Sequence, residues 1–224
     1  MRRVLFVYAL AARGPERIAG AGVAGERLDR VIVGGVEAVV GEVARAPRAS
    51  VRNLKRYNRV VSSLWERRAA VLPVRFGTVV RGRVELEFML QARQESFRRQ
   101  LQKVRRRAQM TVRIVGDEGS GIGDRAIPNP QSPIPEPRSP GTSYLRARAR
   151  RHDVPEFAAL RAAVRPWVRE EYLQKHGSIA TMYHLVPRGA VDRYRQAIER
   201  VARAEHLRPL VSGPWPAYAF AGGW

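Results

Sequence analysis

The sequence predicts an α+β fold of two units, each a small mixed or antiparallel sheet covered by helices, with one long amphipathic helix between them. Three observations carry this. Residues 1–82 run strand, hairpin, helix, strand. A helical pattern over residues 84–108 follows. The remainder alternates strands and helices again, in an order that fits a ferredoxin-like unit. The expected domains are therefore 1–82 and 83–224. The second carries the long helix at 84–108, a Pro/Gly-rich insertion at 116–140 and an aromatic tail at 212–224.

Residues 4–10 (VLFVYAL) read as the first strand. Residues 11–27, rich in Gly and Ala, read as a loop. Two β-branched runs, 28–33 and 36–43, are split by Gly34-Gly35, which is a hairpin signal. Ser50 can cap the next helix. Leu54, Tyr57, Val61 and Leu64 then recur at helical spacing with Trp65 beside them, giving one apolar face. That helix must stop before Pro73, and it fits a sheet covered by helices on one face.

Residues 70–80 (AVLPVRFGTVV) are short, apolar and bounded. Leu72, Val74 and Phe76 alternate with Pro73, Arg75 and Gly77, the period of a half-buried strand. Pro73 confines the strand to an edge or places itself at the strand's start, because it has no N–H for the ladder. Gly77 marks a bend or a close backbone approach. Arg75 must reach a rim, a carboxylate or a partner, because an unpaired guanidinium is too costly to bury.

In the helical pattern over 84–108, Leu90, Phe97, Leu101, Val104 and Ala108 form one stripe. The other side holds Arg93, Arg98, Arg99, Lys103, Arg105, Arg106 and Arg107, with Glu95 and Arg99 spaced as an i,i+4 pair. A strand at 110–115 leads into the insertion. Helix starts are expected at Thr142 and at Asp153, whose spacing to Glu156 is that of a capping box. Pro166 should break the second helix. Residues 179–186 form a strand, Val191, Tyr194, Ile198 and Val201 mark a helix, and the last strand begins near Leu207. No internal repeat is visible in the sequence.

The formal charge is +21, from 41 Lys and Arg against 20 Asp and Glu. Only Lys55, Lys103 and Lys175 are lysine, so the excess is arginine. Such a charge fits a solvated basic surface, an acidic protein partner or a nucleic acid. No helix-turn-helix, RRM, KH or zinc pattern supports the last. Apolar runs fall short of the ~18 residues of a membrane span. The run after Arg2-Arg3 reads as a strand rather than a leader. The absence of cysteine excludes disulfides and thiolate metal sites and fits a reducing cytosol.

The glycines at 116–123 lack the GK[ST] of a phosphate loop, and Asp117, Glu118 and Asp124 lack EF-hand spacing. His152, His176, His184 and His206 form no metal-binding pair. His184, inside an apolar strand, reads as a structural histidine. Glu170-Glu171 reads as a salt-bridged helix surface. The expectation is a protein that is not an enzyme and uses no cofactor or metal.

Three segments carry a resemblance. Leu72, Pro73, Arg75, Phe76, Gly77 and Thr78 match an LPxRFGT signature. Gly141, Thr142, Tyr144 and Leu145 match GTxYL. Gly213, Pro214, Trp215, Pro216, Tyr218 and Phe220 match GPWPPYxF, with Ala217 in place of the second proline of that pair. With the opening strand, these resemble the gas vesicle GvpF/GvpL family across nearly the whole chain. The resemblance implies a cytoplasmic, gas-vesicle-associated assembly factor. It would bind the hydrophobic shell protein GvpA, in a chaperone-like or nucleating role or as a minor component of the vesicle, together with other gas vesicle accessory proteins. The signature residues are then candidate partner contacts, and Arg98, Arg99, Arg105, Arg106 and Arg107 a candidate basic contact. The tail could equally pack on its own domain. A basic nucleic-acid-binding protein is the alternative from another class.

Overall fold

The computed structural model describes residues 3–14, 18, 20–115 and 157–222. The expected insertion at 116–140, the helix starts at Thr142 and Asp153, and Gly141, Tyr144 and Leu145 lie outside the described residues. The chain forms two compact units, Met1–Arg107 with Trp215–Trp224, and Ala108–Pro214.

In the first unit, β1 (Val4–Ala12) is the inner strand. The hairpin strands β2 (Leu28–Val33) and β3 (Val36–Val43) lie to one side of it. To the other side lie β4 (Val71–Pro73) and β5 (Val79–Val80), giving the order β2-β3-β1-β4, with β5 also on β1. All these pairings are antiparallel. Gly34 and Gly35 turn the hairpin with φ of 55° and 83°, the two positive values a two-residue type I′ turn demands.

Helix α1 (Val51–Arg67) starts where expected: the Ser50 side chain accepts from Asn53 N at 3.2 Å. Its buried residues Tyr57, Val60, Val61 and Leu64 pack on the face of the sheet carrying Phe6, Tyr8 and Val39.

The helical pattern at 84–108 is not one rod. It is α2 (Arg83–Ala92) and α3 (Gln94–Val104), broken at Arg93. Helix α2 packs on β2 and β5, and α3 on β1, β3 and β4. One straight helix cannot follow both paths, so the chain turns between them. Residues Arg107 and Ala108 already belong to the next strand. Leu86, Leu90, Phe97, Leu101 and Val104 are buried apart from the α1 cluster. Helices therefore cover both faces of the sheet, where the sequence pattern suggests one. This is why Phe6 through Ala11 are buried without alternation, since an inner strand between two helical layers has no wet side. For the same reason α2, α3 and residues 215–222 belong to the first unit, whereas the sequence pattern assigns them to the second.

The second unit contains β6 (Arg107–Val115), α4 (Ala158–Val164), β7 (Glu170–His176), β8 (Ile179–Pro187), α5 (Val191–Ala204) and β9 (Leu210–Trp215). The sheet order is β7-β8-β6-β9. Helix α4 stops before Pro166, as the missing N–H of proline requires. Glu170 and Glu171 lie on strand β7, not on a helix.

Both units share one plan. In chain order each has a first strand, a hairpin, a helix and a last strand, with α4 ahead of the hairpin in the second unit, and among the described strands the sheet order is second, third, first, fourth. This structural repetition has no visible counterpart in the sequence. Sheet order depends on where apolar faces fall rather than on particular residues.

Gly77 has a φ of 93° and nothing within 4 Å of where a Cβ would lie. Gly82 is equally open but extended, with φ 169°. Gly77→Ala should therefore cost about 1 kcal/mol through backbone strain alone, and Gly82→Ala close to nothing. Urea unfolding of the two variants, compared at constant m-value, checks this.

Candidate partner-binding surface

Residues 71–80 pair with β1 twice and leave it once. Val74 N donates to Tyr8 O at 3.1 Å, and Val7 N to Thr78 O at 3.0 Å. Between these contacts the chain makes a tight turn. Thr78 N and Oγ1 both donate to Arg75 O, at 3.2 and 2.8 Å. Gly77 takes the third position with positive φ, as a type II turn needs. The expected continuous strand is thus cut to β4 and β5. Leu72 and Pro73 are buried in β4, while Arg75 is exposed at the turn. Arg75 is thus at the rim.

Phe76 folds back over the sheet. Its ring centroid is 5.6 Å from that of Phe6 and 5.6 Å from that of Tyr57, both edge-on. Tyr8 stacks on Tyr57 at 6.0 Å and meets Phe6 at 4.8 Å. The Tyr57 hydroxyl reaches both Tyr8 O, at 3.1 Å, and Val74 O. Burial pushes this phenol well above its usual range, so it stays a neutral donor. The Tyr8 hydroxyl donates to Glu26 and accepts from Val23 N at 2.7 Å.

The tail returns to the same cluster. Pro216 and Ala217 are buried, and Tyr218, like Phe76, packs on this core. Its hydroxyl donates to Asn58 Oδ1 of α1 at 2.9 Å. Trp215 and Phe220 are half-buried, Pro214 is exposed, and Gly213 lies in β9. The two described signatures thus do different work. Residues 72–78 form an edge and a turn, and 215–220 form a strap held to α1.

The basic row lies along α3. Arg98, Arg99, Arg105 and Arg106 are exposed. Arg98 is partly committed: it donates to Gly34 O at 2.8 and 2.5 Å and pairs with Glu95 at 3.0 Å. Glu95 thus pairs with Arg98, at i,i+3, rather than with Arg99. Arg106 holds a φ of 51°, and its N–H donates to Ala69 O at 2.6 Å. The Arg107 guanidinium donates to Lys103 O at 2.6 Å, and Arg107 O accepts from Trp65 Nε1 at 3.2 Å. Ser96, Arg99, Gln100, Gln102, Lys103 and Arg107 line an open groove here. Among the described residues no three His, Asp or Glu side chains gather as a metal site. No described helix is long and apolar enough to cross a membrane.

Residues 4–222 match the family model described as gas vesicle synthesis protein GvpL/GvpF. The chain belongs to the GvpL/GvpF family. Its fold is that of the crystal structure of the gas vesicle protein GvpF from Anabaena sp. PCC7120. That match has a TM-score of 0.74 and 17% identity, and it covers 98% of both chains. The crystal structure of GvpF from Microcystis aeruginosa is similar, with a TM-score of 0.72 at 14% identity over 98% of this chain and 99% of that one. A comparison with curated proteins finds no match.

In this gas vesicle protein the second unit holds a polar chain whose members the sequence shows only as separate residues. His184, fully buried in β8, has Nδ1 at 2.8 Å from the Tyr194 hydroxyl and Nε2 at 2.8 Å from Glu171 Oε2. Glu171 also takes Arg161 Nη2 at 2.6 Å and Arg161 Nε at 3.0 Å. Four elements are joined by these contacts: α4, β7, β8 and α5. His184 is thus a satisfied structural histidine. Tyr194, at the inner end of this chain of hydrogen bonds, is fully buried. The alternation of β8 marks His184 as inward-facing, but no spacing rule links it to Glu171 or Arg161. A second missed contact lies in the first unit, where the buried Glu37 pairs with Arg68 at 2.7 Å.

Burial pushes the Glu171 carboxyl up, but the His184 hydrogen bond, the charge of His184 and the Arg161 guanidinium outweigh it. The net result is a value below the ordinary 4.5. A depressed carboxyl contributes stability that is full above its unfolded value and is lost as pH falls through the folded one. Glu171→Gln should cost about 1–2 kcal/mol at pH 7. The gap from the wild type should close as pH drops below 4.5. Chemical denaturation at pH 7 and at pH 3.5–4.5 reads both; a gap that does not narrow refutes this account of Glu171.

Proposed function

We propose that this GvpL/GvpF-family chain acts in gas vesicle assembly, in the cytoplasm, by binding the hydrophobic shell protein GvpA and other gas vesicle accessory proteins. The observation that carries the reading is the family match over residues 4–222. A shell subunit that buries an apolar face only on assembly is aggregation-prone before it. A partner that covers that face keeps the subunit available until a nucleus forms. Binding of this kind needs recognition rather than chemistry, and the reading is of a protein that is not an enzyme.

The exposed arginines of α3 give such binding an electrostatic component. Charges at the rim of an interface act mainly on encounter rate and specificity. The signature residues divide accordingly. Arg75 at the turn and Pro214 at the strap are accessible for contact, whereas Leu72, Pro73 and Pro216 support the platform from within.

Co-expression with GvpA, nuclease treatment and a salt series test this. GvpA should stay in a soluble complex after nuclease and weaken as salt rises towards ~1 M, where the screening length is about 3 Å. Arg99→Ala with Arg105→Ala should flatten that salt dependence. Loss of GvpA with nucleic acid retained would overturn the reading in favour of a nucleic-acid partner for the +21 charge.

A further inference from the structure

Helix α2 is apolar on two opposite sides. At about 100° per residue, Leu86 and Leu90 point one way and Val84 and Phe88 roughly the other. Leu86 and Leu90 are fully buried in the first unit. Val84 and Phe88 are 81% and 75% exposed, and Ala92 is exposed in the same four-residue repeat. Single apolar residues are ordinary on a surface. A ridge repeating every four residues, on a helix whose other side is already buried, is a shape that packs into a second apolar element. Phe88 supplies a rigid aromatic anchor at its middle.

The polar residues beside the ridge favour an apolar neighbour. Arg83 Nε pairs with Glu87 Oε1 at 2.8 Å, and Glu85 Oε2 accepts from Arg81 N at 2.6 Å. Glu87 is thus paired with a cation on its own helix, and Glu85 caps a backbone N–H just before it. Helix α3, which follows after Arg93, exposes Arg99 and Lys103, and Arg105 is exposed just past its end.

We infer that the outer face of α2 is a docking site for an apolar helix of the shell protein, seated along Val84 and Phe88, with acidic flanks of that partner met by the arginines of α3. This rests on the proposed binding of GvpA and assigns it a surface. A second copy of this chain is a poor occupant. Two such chains bring +21 each to the contact. Three side chains also fall far short of the roughly 800 Å² per partner of a stable interface. A dimer would have to extend over basic surface on both sides, whereas a partner with acidic flanks would extend the contact over the same arginines favourably.

The experiment uses the full chain, tagged and co-expressed with GvpA, with nuclease treatment at ~0.15 M salt, where the screening length is about 8 Å. Val84→Ser with Phe88→Ser should lower retained GvpA at least tenfold. Val51→Ser, at an equally open position on α1 (71% exposed), should leave it unchanged. Both variants should melt as the wild type does, since the replaced side chains are exposed. Phe88→Tyr, which keeps the ring, should retain binding. Undiminished GvpA on the double variant overturns the α2 site and leaves the proposed function standing. No GvpA on the wild type overturns both. A wild-type dimer in sedimentation that the double variant converts to monomer would make a second copy the occupant and overturn the inference.

Discussion

The hydrogen bonds of Tyr8 and Val74 hold the first unit together. Strand β1 lies between helical layers, so every backbone polar group along it must find a partner inside the protein. One side of β1 is served by β3. The register there shifts between Val7 and Ala9, so Tyr8 has no partner on β3. The other side is served by β4 and β5, which are separated by the turn at 75–78. Tyr8 O is met across that edge by Val74 N, with the Tyr57 hydroxyl also in reach. One phenol thus ties α1, β1 and residue 74 together at the point where both ladders are irregular. The aromatic rings of Phe6, Tyr8 and Phe76 close around it and keep water out.

The family signatures acquire a physical meaning in this arrangement. The first occupies the last strand of the first unit and the turn after it. The third begins in the last strand of the second unit, β9, and continues as the strap over α1. Each signature therefore starts on the fourth strand of the shared plan, next to that plan's first strand. Glycine and proline are concentrated at such places because the backbone there leaves one pairing and takes up another. Gly77 supplies the positive φ, Pro73 closes β4, and Pro216 is buried at the base of the strap. These are folding roles. Among the described members, Arg75 and Pro214 are the exposed ones.

The second unit rests on a different interaction. Glu171 collects Arg161 and His184, and His184 shares its other ring nitrogen in a hydrogen bond with the Tyr194 hydroxyl. A half-buried carboxylate with two strong partners fixes the relation between the hairpin and α4 and α5 of that unit. A methyl group at the same place would give packing without direction. The two units thus repeat one topology but lock it differently, with an aromatic cluster in one and a charged chain in the other.

The sequence by itself determined the α+β class, the Gly-Gly hairpin, the Ser50 cap, the end of α4 before Pro166 and the family. Each of these depends on a local rule, whether a φ value, a missing N–H or a short motif. Only the tertiary structure decided the rest. The apolar stripe from Leu90 to Val104 reads as one helix because its period hardly drifts across Arg93. The break is set by the different strands that α2 and α3 must cover. The assignment of α2, α3 and the tail to the first unit follows from that same packing. Phe88 looks like any core phenylalanine in the sequence. Its exposure follows from Leu86 and Leu90 having already taken the side of α2 that faces the sheet.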